Sequence, residues 1–123
     1  MHLAGVRRQL EEARAALVES AAHAQKGEFD PAYRAALLSR NRLFHATRGV
    51  AAARSEALPE MPAVGTDVGE LADHVGVLAA LDAALAVEED LTMPDELAAA
   101  RSRFGRYLGW LRHEVGRTLQ SKL

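Results

Sequence analysis

At 123 residues and 13.3 kDa the chain is long enough to bury a core without staples, and with no cysteine it holds neither a disulfide framework nor a thiolate metal site. Alanine is abundant and only 5% of residues are aromatic, a mixture that favours helices packed closely side by side. The formal net charge of −2 hides an uneven distribution: residues 1–54 carry nine Lys/Arg against five Asp/Glu, residues 55–100 eleven acids and no base, and residues 101–123 six bases against one acid.

The first predicted element is a helix over residues 3–26, in which Leu3, Val6, Leu10, Ala13, Leu17, Ala21 and Ala24 step by threes and fours and Lys26-Gly27 supplies a stop. MHLAGVRRQLEEARA turns charged at Arg7, so it reads as helix and not as a signal peptide. Asp30-Pro31 then reads as an N-cap followed by proline in the first turn, opening a second helix over about 30–57 that ends before Pro59. PEMPAVGTD, residues 59–67, is the one long loop. Asp67 and Glu70 form a capping box for a third helix over about 67–89, with Val68, Leu71, Ala72, Val75, Leu78 and Leu85 facing inward and Asp82 in the centre of that face. Thr92 and Asp95 form a weaker box before a fourth helix over about 93–121, whose stripe is Leu97, Phe104, Leu108, Leu111, Val115 and Leu119.

These elements predict one all-α domain, residues 1–123, folded as an up-and-down four-helix bundle. No stretch approaches the ~20 apolar residues of a membrane span, so the expectation is a cytoplasmic protein without membrane contact.

Helix two carries the polar residues that a packing helix would not choose. Its apolar stripe, Tyr33, Ala36, Leu37, Leu43, Phe44, Val50 and Ala51, has Arg40 in its middle, while Arg34, Asn41, His45 and Arg48 form an outward ridge. Arg40 and Asp82 each stand alone on an apolar stripe. If helices two and three are antiparallel neighbours the two pair; otherwise Arg40 reaches past Phe44 to solvent.

On helix four, Gly105-x-x-x-Gly109 allows close approach of another helix, either inside the bundle or across a homodimer seam. Arg103, Arg106, Trp110, His113 and Arg117 alternate basic and aromatic character on another side. Such a stripe can grip phosphate and stack on a base, although it is also compatible with a plain solvated face. The charge blocks allow two readings as well. Either the acidic third helix lies beside the basic second and fourth, or helices two and four make a basic face for nucleic acid. Glu70 and His74 are a lone i, i+4 pair and the other histidines are scattered, so no metal site is expected. No cofactor motif is present.

Arg40-Asn41-Arg42-Leu43-Phe44-His45 resembles the signature of the HEPN group of small helical proteins, which includes ribonucleases, toxins and antitoxin partners. The resemblance implies a homodimer in which Arg40, Asn41 and His45 cleave RNA, the imidazole as acid or base and the guanidinium on the phosphate. It also implies RNA or a protein partner such as an antitoxin. The candidate nucleic-acid contacts, read from the residues themselves, are Arg34 and Arg48 on the ridge beside His45 and Arg103, Arg106, Trp110 and Arg117 on the stripe of helix four. A longer likeness, through LEEARAAL, KGEFDPAYRAAL, LFHATRGV and DLTMPDELAAARSRFGRYL, is to stand-alone HEPN proteins whose catalytic-type Arg lies in the third helix. AALDAALAVEED offers no Arg or His there, which implies a catalytically degenerate relative. His45-Ala46-Thr47-Arg48-Gly49 is also similar to the phosphoacceptor motif of histidine phosphotransfer domains, which implies an outward imidazole, an attracting Arg48 and a glycine that admits a receiver domain. A third reading is a partner-binding bundle without catalysis.

Overall fold

The computed structural model describes residues 3–53, 57, 69–86 and 93–121. They form four helices, α1 (Leu3–Gln25), α2 (Phe29–Ala53), α3 (Asp73–Ala86) and α4 (Met93–Ser121), and no strand. The expected all-α four-helix bundle is present. No helix among the described residues is long and apolar enough to cross a membrane.

α1 ends where its sequence says it must. Gly27 has φ +77°, Glu28 N donates to His23 O at 3.0 Å and Gly27 N donates to Ala24 O at 3.0 Å, the paired bonds of a Schellman stop. α2 then begins at Phe29, just ahead of the expected Asp30-Pro31 cap. Ala32 N already reaches Glu28 O at 3.1 Å, so Pro31 sits inside the first turn, where its missing N–H would have had no helical partner. At its other end α2 is described as far as Ala53, and Ala57 is no longer helical.

α3 starts later than predicted. Turns at Glu70–Asp73, Leu71–His74 and Ala72–Val75 precede it, and Glu70 N donates to Asp73 Oδ2 at 2.7 Å. The expected Asp67 cap, the Thr92–Asp95 cap, Val68 and the loop at 59–67 lie, in whole or part, outside the described residues. Gly69 is buried against α4: a Cβ there would lie 2.5 Å from the backbone O of Arg106 and collide with the Asp73 carboxylate. Glycine is required for that approach.

The helices form a ring in the order α1, α2, α4, α3, so α2 packs on α1 and α4 while α3 packs on α4 and α1. Ser20 with Ala32 and Ser39 with Ala13 make α1 and α2 antiparallel. Arg103 with Gly76 and Arg106 with Asp73 do the same for α4 and α3, and Arg101 with Thr47 and Trp110 with Phe29 for α4 and α2. α2 and α3 therefore occupy opposite corners and run in the same direction. The expected Arg40–Asp82 pair does not form, because the two helices that carry it are not close neighbours. Asp82 instead accepts from Arg14 Nε at 2.6 Å, across the α1–α3 seam.

The core follows the predicted stripes on α1 and α4, with Val6, Leu10, Ala13, Leu17, Leu97, Phe104, Leu108 and Leu111 all buried. Val115 is half-buried and Leu119 is exposed, outside the buried stretch of α4. On α2 the buried line is Ala32, Ala36, Ser39, Leu43, Ala46, Thr47 and Val50, while Leu37 is exposed and Tyr33 and Phe44 are half-buried. The stripe is thus turned toward α1 relative to the predicted one, since close helix contact selects the small residues Ser39 and Ala46 over the bulky Leu37. Arg40 lies on the edge of this stripe and not in its middle. α3 buries Val77, Ala80, Leu81 and Ala84 and exposes Val75 and Asp82, a different face from the predicted one. A helix apolar on nearly every side has no amphipathic phase to read.

Candidate nucleic-acid interface

Residues 31–53 of α2 and 97–113 of α4 contain no Asp or Glu. Because these two helices pack antiparallel, their acid-free stretches lie side by side. Any cation on the flank they share lacks a carboxylate on either helix, and must be balanced from elsewhere or remain available to an anion.

Guanidinium groups on other sides of the bundle have partners. Arg34 pairs with Asp30, Arg14 with Asp82 at 2.6 Å, Arg42 with Glu12 at 3.3 Å, Arg106 with Asp73 at 3.3 Å and Arg117 with Glu114 at 3.2 Å. Arg103 donates to Gly76 O at 3.1 Å. Among the described residues the acidic helix α3 therefore pairs with α4, as one reading of the charge blocks expected, and with α1 in place of the expected α2.

On the flank between α2 and α4 the pattern is different. Arg48 and Arg112 are exposed and have no carboxylate partner among the described residues. Arg101 is half-buried, and its Nη1 donates to Thr47 Oγ1 at 3.3 Å. Burial lowers the Arg101 pKa, and no carboxylate among the described residues offsets that shift. Arg101 and Arg112 are three turns apart, so they share one edge of α4 at a separation of roughly 16 Å along the axis. Facing them on α2, Arg40, Phe44 and Arg48 form an i, i+4, i+8 row beside Thr47, on the side away from the Arg42–Glu12 pair. Phe44 is half-buried, with its ring centroid 6.0 Å from that of His45.

The predicted site residues fall into three groups. Arg40 is half-buried on the α4 side of α2, Asn41 is exposed, and His45 is half-buried. His45 lies five positions after Arg40, a rotation of about 140° and a rise of about 7.5 Å, so one chain does not bring the two together on one ligand. Arg34 and Arg48 are exposed on the outward ridge as expected, the first paired with Asp30 and the second without a carboxylate partner among the described residues. Arg103, Arg106, Trp110 and Arg117 lie on another flank of α4. There Arg103 and Arg106 reach α3, and Trp110 is half-buried with Phe29 edge-on at 5.7 Å and Tyr107 at 6.1 Å. Arg101 and Arg112 escaped the sequence reading. The signal that could have found them was the joint absence of acids from residues 31–53 and 97–113, once the helices that carry them are taken as neighbours.

Gly105 and Gly109 are buried. Gly49 is half-buried beside α1, where an added Cβ would meet Val6 Cγ2 at 2.9 Å. Two open grooves elsewhere, one of about 500 Å³ beside Phe29, Glu114 and Arg117 and one of about 360 Å³ beside Glu19, His23 and Arg34, each contain a carboxylate and are less suited to a polyanion. No group of three His, Asp or Glu among the described residues is placed to hold a metal ion. No family model, curated protein or solved structure matches the chain.

Proposed function

We propose that this protein is an RNA-directed helical bundle of the HEPN type that engages single-stranded RNA along the flank shared by α2 and α4 and acts as a homodimer. The observation that carries this reading is the placing of Arg48, Arg101 and Arg112, none with a carboxylate partner among the described residues, on the acid-free stretches 31–53 of α2 and 97–113 of α4. A polyanion is the ligand such a surface suits, because each phosphate it neutralises releases condensed counterions. The half-buried Phe44 in the same row offers a face for a base, and single strands expose such faces.

The Arg40-Asn41-x-x-x-His45 signature adds a cleavage hypothesis. Since Arg40 and His45 diverge within one chain, a composite site needs a second copy whose His45 approaches the first copy's Arg40. The phosphotransfer reading ranks second. His45 is not in the bundle interior and Arg48 is exposed three residues on, as that reading wants. Its glycine, however, is already accounted for by packing: Gly49 makes room for Val6 of α1, and not for an incoming domain.

Incubation with a labelled oligouridine tests the proposal. The expected result is binding that weakens steeply with salt, a dimer in sedimentation and, where the oligomer is cut, loss of cutting in His45→Ala with binding retained. Failure to bind at low salt overturns the reading, and a labile phosphoryl adduct on His45 after exposure to a small phosphodonor would favour phosphotransfer instead.

A further inference from the structure

Arg101 is the guanidinium that a hydrogen bond ties across the seam from α4 to α2. Thr47 is buried, and its hydroxyl proton is committed to Leu43 O at 2.9 Å, so the oxygen presents a lone pair toward α4. Arg101 Nη1 donates to that lone pair at 3.3 Å. No buried side-chain donor or acceptor among the described residues lacks a partner, so the remaining N–H groups of Arg101 keep access to solvent.

The result is a guanidinium fixed at one nitrogen, partly desolvated and open on the rest of its planar fork. Ordering a long, charged side chain without a counter-ion costs free energy twice, in rotamer freedom and in hydration. Arginine in this state is pre-organised for an oxyanion, because its fork matches two phosphate oxygens and less ordering remains to be done on binding. Arg48, next in sequence to Thr47, supplies a second cation at the same level of the bundle.

We propose that Arg101, positioned by Thr47 and assisted by Arg48, forms a phosphate-binding subsite between α2 and α4 that accepts one phosphate group through the free edge of the Arg101 fork. This rests on the RNA reading for the source of the phosphate, which would be a phosphodiester of the bound strand. Thr47 is a positioning residue: it touches Arg101 and not the ligand.

The test titrates the full chain with two probes, oligouridine and inorganic phosphate, following the Arg101 Nε–Hε resonance and the oligouridine affinity across a salt series. Arg101→Gln is expected to lose ~10-fold or more in affinity and to flatten the salt slope by about 0.7, the share of one phosphate contact on a single strand. Arg101→Lys and Thr47→Val keep the charge and lose the held fork, so affinity falls several-fold while the slope stays. That split is one a merely structural role would not give, and thermal melting of each variant shows whether the fold is retained. If wild type binds oligouridine and Arg101→Gln binds it equally with the same slope, the subsite is overturned and the RNA reading stands. If oligouridine does not bind but inorganic phosphate shifts the Arg101 resonance, the subsite holds for a small phosphate and the RNA reading fails. If oligouridine does not bind and neither probe moves that resonance, both are overturned.

Discussion

Ser20 has a single hydroxyl proton and gives it to Ala32 O at 2.7 Å, so the 2.8 Å contact between Ser20 Oγ and the Tyr107 hydroxyl must be donated by the tyrosine. That bond ties α1, α2 and α4 together in a fully buried setting. Tyr107→Phe removes one donor and leaves Ser20 bonded to Ala32, so the expected cost is about 1 kcal/mol in urea unfolding at neutral pH. The pH dependence has a definite sign. Burial raises the Tyr107 pKa above its ordinary 10.0. The folded state therefore keeps its proton where the unfolded state loses it, and the associated stability is complete below pH 10 and lost as pH rises through and beyond that value. Wild type should lose stability between pH 9 and 11 more steeply than Tyr107→Phe; equal slopes would contradict the assignment. Nothing in the apolar periodicity marked Tyr107 as a core residue with a polar partner. A hydroxyl that meets another across 87 positions of sequence is invisible until the helices are placed.

At the level of the helices, two glycines make opposite predictions for the same substitution. Gly27 closes α1 with a left-handed backbone and has nothing within 4 Å of an added Cβ, so Gly27→Ala meets only the backbone penalty and should destabilise by about 1 kcal/mol. Gly116 lies inside α4 with the same open surroundings and ordinary helical geometry, so Gly116→Ala should stabilise by about 0.5–1 kcal/mol. Thermal melts of the two variants shifting in the same direction would refute this account of the α1 stop. The Lys26-Gly27 stop was legible because its chemistry is local. The rotational setting of α2 and α3 was only partly so. In α2 the seam against α1 is built from Ala13, Ser39 and Ala46, and small residues carry little weight in a reading led by Leu37 and Phe44. In α3 nearly every side is apolar, and its facing is set by where α4 and α1 stand.

The whole molecule is organised by which helices are neighbours. With α2 and α3 at opposite corners, the acids of α3 meet Arg14 of α1 and Arg106 of α4, and none of them is placed against α2. The charge blocks were plain in the sequence, but the neutralising pairs follow the ring order, which periodicity does not encode. The consequence is a bundle that is nearly neutral overall and cationic along one flank. The most direct measurement is the salt dependence of oligouridine affinity for wild type and two triple variants. One, Arg48→Gln/Arg101→Gln/Arg112→Gln, removes three cations of the α2–α4 flank that have no carboxylate partner among the described residues, and the other, Arg34→Gln/Arg42→Gln/Arg106→Gln, removes an equal charge from positions paired with carboxylates. The account predicts that the first variant loses affinity by ~100-fold or more and flattens the salt slope by roughly 2, while the second stays within a few-fold of wild type. Equal losses in the two variants, or a larger loss in the second, would contradict it.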